Sequence, residues 1–278
     1  MPQAAINGTE IHYVVDGSDA DGVPMLVFHG GLGLDHVLYR RTLGPLAEDR
    51  PVVFVDHRGN GRSGRPPSDT ITMEQLADDA VGVADDLGMD RFVVLGHSYG
   101  GFIAQELALR HPDRLAGLIL VSTTPGQLGT GEDPERYAGP PPPEGLLEAL
   151  MGLPDSDADF GRAIDRLLPF YMHRRDPAEV APLFDGTIFN AAAAIQGFMV
   201  LAGWSSVDRL ATLRCPTLLV VGREDVMTYY RQSERIADRL ANAEVAVLDE
   251  CGHWPWLEEP DAFFASIQGW LEQQVDPT

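Results

Sequence analysis

Three side chains of this sequence have the types and the order that nucleophilic catalysis by a serine requires: Ser98, Asp225 and His253. A serine hydroxyl is a weak nucleophile, so it needs a base to take its proton, and the base needs an acid that orients it. Each of the three follows a short apolar stretch that predicts a buried strand. Because ligands of open α/β sheets bind at the carboxyl ends of strands, we expect the three side chains to meet there.

The serine lies in the sequence Gly96-His97-Ser98-Tyr99-Gly100, between an apolar run at 92–95 and a predicted helix at 102–109. A GxSxG pattern at a strand-to-helix turn is typical of a nucleophile elbow, whereas without that context it could be a glycine-rich turn with an incidental serine. The glycines leave room for a tight turn in which Ser98 adopts a strained backbone conformation. The N–H of Tyr99 then lies at a helix N-terminus, where it favours an oxyanion.

The proposed acid and base follow two later strands. Asp225 comes shortly after the apolar run at 217–221, and His253 follows the run at 244–248. Glu224 is the alternative acid, and the triad arrangement favours Asp225 over it. The order serine, aspartate, histidine is that of the α/β-hydrolase fold.

A second oxyanion donor is expected from the loop at 29–33, His-Gly-Gly-Leu-Gly, which also follows a predicted strand. We expect the N–H groups of Gly31 and Tyr99 to donate to the same substrate oxygen. Losing one such donor typically costs about 3 kcal/mol of transition-state stabilisation. His29 and His97 are predicted to support this loop and the elbow through hydrogen bonds, and not to act as the base.

The elements around these residues predict an α/β protein with a mostly parallel central sheet covered by helices on both faces. A hairpin is expected around Asn7-Gly8, because both turn residues tolerate positive φ. Strands then alternate with helices up to Pro125, and the helices predicted between 144 and 208 are not separated by strands. We therefore predict a core of residues 1–125 and 209–278, interrupted by a helical cap at 126–208. The predicted strands are 4–6, 11–15, 25–28, 52–55, 92–95, 118–121, 217–221 and 244–248, and the predicted helices are 36–47, one from the capping box at 72–75 to Gly88, 102–109, 146–151, 160–171, 180–183, 191–201, 229–240 and 261–273.

Charge and composition limit the partners. The 278 residues carry 20 basic and 42 acidic side chains, a formal charge of −22, which argues against nucleic acid or an anionic membrane surface as a partner. Cys215 and Cys251 do not make a disulfide framework, and the N-terminus has no signal-peptide pattern. We expect a cytoplasmic protein that acts on a small molecule or short peptide, with its oligomeric state open.

With these residues in place, the chain resembles the α/β-hydrolase superfamily over nearly its full length. The loop at 29–33 is similar to the HGGPG loop of proline iminopeptidases, with Leu32 replacing the proline. The loop at 56–63, Asp-x-Arg-Gly-x-Gly-x-Ser, resembles one that this group shares with many relatives. Phe189-Asn190 and the stretch at 208–225 are similar to the same group, so the proline iminopeptidase-like group is the most similar one.

The resemblance implies a serine hydrolase that works through an acyl-enzyme and needs no metal or organic cofactor. Ser98 would attack, His253 would carry the proton, Asp225 would orient His253, and Gly31 and Tyr99 would hold the oxyanion. Release of an N-terminal proline or amino acid from a peptide or amide is one function that fits. The alternatives are an esterase, a lactonase or a carbon–carbon-bond hydrolase, and a ligand-binding relative without enzymatic activity.

Substrate contacts are expected from Leu32, Glu224, Trp204 and Trp254. Trp204 belongs to the aromatic residues of the predicted cap, some of which should line an acyl pocket, and Trp254 adjoins the predicted base. An iminopeptidase would also need a carboxylate to receive the free amine of its substrate. The acidic candidates are Glu144, Glu148, Asp155, Asp157, Asp159, Asp165, Glu179, Asp185 and Glu224.

Overall fold

An eight-stranded sheet with the strand order β1-β2-β4-β3-β5-β6-β7-β8 forms the centre of the fold. The structure is a computed structural model that describes residues 3–152 and 155–276. The strands are β1 (Gln3–Ile6), β2 (Thr9–Asp16), β3 (Met25–Phe28), β4 (Val52–Val55), β5 (Phe92–His97), β6 (Leu115–Val121), β7 (Thr217–Gly222) and β8 (Ala243–Leu248).

The sheet is antiparallel at one edge and parallel elsewhere. β1 pairs antiparallel with β2 and β2 with β4, while β4, β3, β5, β6, β7 and β8 are mutually parallel in that order. The β1–β2 hairpin turns at Asn7 and Gly8, whose φ angles are 46° and 79°. Every residue of β3, β4, β5 and β7 is buried, which explains their continuously apolar sequences. The prediction of a mostly parallel sheet is confirmed.

Helices cover both faces of this sheet, as predicted. One face packs against α2 and α3, and the other against α1 and α10. None of the described helices combines the length and apolar character that crossing a membrane requires. The helices are α1 (Val37–Thr42), α2 (Met73–Asp86), α3 (Tyr99–Arg110), α4 (Leu146–Met151), α5 (Asp157–Tyr171), α6 (Pro177–Val180), α7 (Ala191–Gly203), α8 (Arg231–Ala237), α9 (Pro255–Glu258) and α10 (Pro260–Gln274).

Several helix boundaries differ from the predictions for local reasons. The helix expected at 36–47 is α1 followed by a separate 3-10 turn at Gly44–Ala47, because Pro45 cannot continue an α-helix. α5 begins at Asp157, capped by the Ser156 side chain, which accepts from the Asp159 N–H. The helix expected at 180–183 is α6 followed by a 3-10 turn at Ala181–Phe184.

Three further differences concern α2, α8 and α9. Only half of the capping box at α2 forms, because Thr72 accepts from the Gln75 N–H while the Gln75 amide donates to Asp79. α8 is shorter than the predicted 229–240, and its first turn has no side-chain cap. The short α9 was not predicted, although Pro255 at its start is a helix-initiating signal.

The chain between β6 and β7 carries α4, α5, α6 and α7, and its described part contributes no strand to the sheet. The two ends of this segment are tied together by an isolated bridge between Gly126 and Ser205. Asn190 lies just before α7, and its backbone N–H donates to the Gly33 carbonyl at 2.9 Å. The segment is thereby docked on the glycine-rich loop that follows β3.

Candidate active site

The predicted nucleophile lies at a sharp turn between β5 and α3. Ser98 has φ 50° and ψ −115°, a region that residues other than glycine rarely occupy. A Cβ on Gly96 would lie 2.4 Å from the Gly100 carbonyl oxygen, and one on Gly100 would lie 2.2 Å from that of Phe28. The backbones therefore approach so closely that only glycine fits on either side of the serine.

The two predicted oxyanion donors adjoin this serine. Gly31, Ser98 and Tyr99 all line the same cavity. Gly31 has φ 74°, and a Cβ there would collide with Leu34. Within the residues that the structure describes, neither the Gly31 N–H nor the Tyr99 N–H donates to a protein acceptor, so both are available to an oxygen bound beside Ser98.

Asp225 and His253 lie at the ends of β7 and β8 and are bonded to each other. Nδ1 of His253 lies 2.9 Å from Oδ2 of Asp225, and both side chains are buried. Because a carboxylate only accepts, Nδ1 is the donor, which leaves Nε2 free to take a proton. His253 and Ser98 line a common small cavity of about 10 Å³. Glu224 instead accepts from the Cys251 N–H at 2.9 Å, so it holds the loop before His253.

Thr228 completes the surroundings of the Asp225 carboxylate. Its hydroxyl donates to Oδ2 at 2.7 Å, while the N–H groups of Met227 and Thr228 donate to Oδ1 at 2.8 and 2.9 Å. Burial by itself would raise the pKa of Asp225, but the adjacent His253 and these hydrogen bonds outweigh it and hold the pKa at about 2. Asp225 is therefore charged at neutral pH and can stabilise a positive charge on His253. Thr228 was not predicted, although an Asp whose carboxylate accepts from the N–H groups two and three residues further on is a recognisable turn pattern.

An apolar cavity of about 260 Å³ opens beside Ser98. Its walls come from the elbow and α3, the loops after β3 and β7, and α4, α5 and α7. The only polar side-chain groups among the described lining residues are hydroxyls, and no charged side chain is among them. The lining residues are Gly31, Leu32, Ser98, Tyr99, Phe102, Ala149, Leu150, Gly152, Phe160, Ala163, Ile164, Leu167, Tyr171, Ala194, Phe198, Leu201, Met227 and Thr228.

Residues 23–260 match the family model described as the alpha/beta hydrolase fold. This chain belongs to the α/β-hydrolase family. The resemblance predicted from the loops and the elbow is thus confirmed at the level of the superfamily.

Curated relatives of this α/β-hydrolase have several activities. It is 29% identical over 277 residues to a putative carbamate hydrolase of Rhizobium rhizogenes, with 96% of this chain and 99% of that one covered. It is 31% identical to the 2-hydroxymuconate semialdehyde hydrolase of a Pseudomonas species, covering 92% and 88% of the chains. It is 27% identical to a proline iminopeptidase of Pestalotiopsis fici, covering 96% and 98%. The proline iminopeptidases are therefore one of several similar groups.

A solved structure adds a lactone-cleaving relative. The enol-lactonase from Burkholderia xenovorans LB400 superposes with a TM-score of 0.78 at 25% identity, covering 97% of this chain and 99% of that one. These relatives are hydrolases named for different activities. The choice of a substrate class for this α/β-hydrolase therefore rests on the lining of its own cavity.

The four predicted substrate contacts lie in different surroundings. Leu32 lines the large cavity, and Trp254 lines the small one. Glu224 and Trp204 are not among the described residues that line either cavity. The Trp204 indole is buried and donates to the Glu106 carboxylate at 2.8 Å, so it packs in the core instead of the predicted acyl pocket.

The loop that carries His253 is clamped to the end of α5. The His253 N–H donates to the Tyr171 carbonyl at 2.8 Å, and the Tyr171 ring stacks on Trp254 at 4.6 Å. The Glu258 carboxylate accepts from the consecutive N–H groups of residues 173–175 and from the Gly252 N–H. One side chain of α9 therefore joins the loop of the predicted base to the segment between β6 and β7. Glu258 was not predicted as a functional residue.

One cluster in the described part of the chain has the residue types of a metal site. His12, His36 and Asp56 each place a potential ligand atom within 4.8 Å of the others. However, Asp56 already accepts from the N–H and Nδ1 of His36 and from the Arg62 N–H. These bonds take most of the acceptor capacity of the carboxylate, and the bond from the Arg62 N–H closes the loop at 56–63 onto it. We therefore interpret Asp56 as a residue that holds the loop at 56–63 in place.

Proposed function

We propose that this protein is a serine hydrolase that cleaves neutral esters or lactones with an apolar acyl part through an acyl-enzyme. The observation that carries this proposal is the uncharged, apolar lining of the cavity beside Ser98. An acyl group bound there would place its carbonyl between Ser98 and the N–H groups of Gly31 and Tyr99.

The proposed reaction uses the groups that surround Ser98, with His253 lining a common cavity beside it. As its Oγ attacks the carbonyl carbon, Nε2 of His253 takes the hydroxyl proton, and Asp225 stabilises the resulting imidazolium. The oxyanion is held by the N–H groups of Gly31 and Tyr99. His253 then gives its proton to the leaving oxygen, and the same residues activate a water that releases the acid and restores Ser98.

The apolar cavity favours a neutral substrate over a charged one. An isolated charge moved into such a site loses its hydration without gaining a partner, which costs several kcal/mol. A free N-terminal amine would need a carboxylate, and none of the predicted acidic candidates is among the described lining residues. We therefore favour the ester and lactone activities over the iminopeptidase activity, and over cleavage of substrates with an anionic acyl part.

We further propose that residues 126–208 act as a cap over a core formed by residues 1–125 and 209–278. Helices α4, α5 and α7 of this segment supply much of the cavity wall, including Ala149, Leu167 and Ala194. Substrate selection would then be a property of the cap, whereas the reacting groups belong to the core.

The test compares kcat/KM for three reporter substrates, with Ser98→Ala as the blank. The proposal predicts that p-nitrophenyl butyrate is preferred over p-nitrophenyl hemisuccinate, its carboxylated counterpart, by at least about a hundredfold. It also predicts that L-proline p-nitroanilide is a poor substrate. Strong turnover of the prolyl anilide that disappears when its amine is acylated would support an iminopeptidase instead. Ligand binding without any Ser98-dependent turnover would support a non-enzymatic relative.

A further inference from the structure

A chain of buried hydrogen bonds connects the loop at 29–33 to the elbow around Ser98 and to the loop that carries His253. The Gly30 N–H donates to the Tyr39 hydroxyl oxygen at 2.7 Å, and this hydroxyl lies 2.8 Å from Nδ1 of His97. Nε2 of His97 lies 2.9 Å from the His253 carbonyl oxygen. Tyr39 and His97 come from α1 and β5, so the chain joins parts of the sequence that are far apart.

The chemistry of the groups determines the direction of every proton. A carbonyl oxygen only accepts, so Nε2 of His97 must carry the proton that it donates to His253. Nδ1 of the neutral ring is then an acceptor, and the Tyr39 hydroxyl donates to it. Burial raises the pKa of Tyr39 and lowers that of His97 well below its ordinary value, so both side chains are neutral at pH 7.

We propose that Tyr39 and His97 are positioning residues that hold the oxyanion donor and the base in register with Ser98. This rests on the proposed serine hydrolase function and extends it to two side chains that do not react themselves. Tyr39 occupies the Gly30 N–H, so that the next N–H, that of Gly31, is the one presented to the substrate oxygen. His97 transmits the same arrangement to the backbone of His253.

The packing around this pair leaves little freedom for another arrangement. A Cβ on Gly30 would lie 2.5 Å from Nδ1 of His97 and 2.8 Å from the Tyr39 hydroxyl. The Trp256 ring lies edge-on to His97, with centroids 4.8 Å apart, and its Nε1–H donates to Thr42 on α1. Because these groups are packed so closely, we expect that losing the Tyr39–His97 hydrogen bond displaces the loop that carries Gly30 and Gly31.

The test substitutes Tyr39→Phe, which removes only the hydroxyl. Because the substrate bound in the ground state does not depend on the oxyanion donor, we expect kcat to fall about tenfold to a hundredfold with KM nearly unchanged. Phosphonylation of Ser98 by a fluorophosphonate, which needs no knowledge of the substrate, should slow by a similar factor. Tyr13→Phe is the matched control, because Tyr13 is also a buried residue and its hydroxyl donates to Asp86 at 2.6 Å, away from the site. A folded Tyr39→Phe protein with wild-type kcat and labelling would overturn the proposal.

A second readout does not depend on turnover. In protein labelled with 15N-histidine, the His97 ring, assigned by its absence in His97→Gln, should be a single Nε2–H tautomer. The resonance of its Nδ1 should shift in Tyr39→Phe and stay in place in Tyr13→Phe. An unchanged Nδ1 resonance in Tyr39→Phe would overturn the hydrogen-bond chain, whether or not the wild-type protein is active. Failure of the fluorophosphonate to react with Ser98 of the wild-type protein would instead overturn the proposed function.

If Tyr39→Phe does not fold, two substitutions at the other residue decide the question. His97→Gln keeps a donor for the His253 carbonyl and an acceptor for Tyr39, and His97→Leu keeps neither. The proposal predicts that His97→Gln retains a higher kcat than His97→Leu at similar KM. Equal kcat values for these two variants would contradict a positioning role.

Discussion

Thr228→Val tests how the protein keeps Asp225 ionised. The substitution removes the hydroxyl that donates to Oδ2 of Asp225 and preserves the side-chain shape and the Thr228 N–H. The pKa of Asp225 is about 2, below its ordinary value of 3.8. That difference corresponds to about 2 kcal/mol of folding free energy, which is present above about pH 4 and is lost as the pH falls toward about 2.

The hydroxyl is one donor of a set that also includes the N–H groups of Met227 and Thr228 and Nδ1 of His253. A hydrogen bond to a charged group contributes roughly 1.5–3 kcal/mol, so we expect Thr228→Val to lose about 2 kcal/mol at pH 7. For a chain of this size the loss corresponds to a Tm lower by about 4 °C. The carboxylate is charged both before and during the reaction, so kcat should fall less than about tenfold.

The assay is thermal unfolding of wild type and variant between pH 7 and pH 2. The difference in Tm should be largest above about pH 4 and should shrink at lower pH, where the carboxyl is protonated in both proteins. Thr217→Val is the control, since the buried Thr217 hydroxyl donates to a neutral carbonyl, that of Cys215. A Thr228→Val protein with the wild-type Tm, or with a difference independent of pH, would refute the reasoning.

The remaining predictions concern Asp225, the cavity beside Ser98 and the hydrogen bonds of Glu258. Asp225→Asn should lower kcat by about 10³- to 10⁴-fold in a steady-state assay, because the amide no longer holds His253 in the tautomer that takes the proton; a kcat close to the wild-type value would contradict that role. Ala149→Phe, which fills the cavity wall, should lower kcat/KM for p-nitrophenyl octanoate more than for the acetate, whereas Leu147→Phe on the exposed side of α4 should not alter their ratio. Glu258→Gln should lower the Tm by several degrees, because a charged acceptor of four backbone N–H groups becomes neutral, and the exposed Glu272→Gln should not; equal Tm values would show that the clamp contributes little.

The fold and the placement of the predicted reacting groups follow from local patterns. The continuously apolar strands are buried on both faces, and Gly96 and Gly100 mark a turn where a side chain would collide with backbone. Because parallel strands end at one edge, the residues after β5, β7 and β8 could be expected to meet. The bond between Asp225 and His253 agrees with that expectation.

The contacts that hold these groups in place could not be inferred in the same way. Tyr39 and His97 are 58 residues apart, and their hydrogen bond depends on how α1 packs on the sheet. Trp204 lies directly after α7, in the predicted cap, yet its indole turns to Glu106 because a buried N–H needs an acceptor. Side-chain direction of this kind is decided by tertiary packing, which hydrophobic periodicity does not encode.

The central claim is that Ser98 becomes acylated, and mass spectrometry of the acid-quenched reaction tests it most directly. During turnover of p-nitrophenyl butyrate, the account predicts an intact chain heavier by one butyryl group, with the added mass on the peptide that contains Ser98. Ser98→Ala should form no adduct and should not hydrolyse the ester above the uncatalysed rate. Butyryl on another residue, or undiminished hydrolysis by Ser98→Ala, would contradict the account.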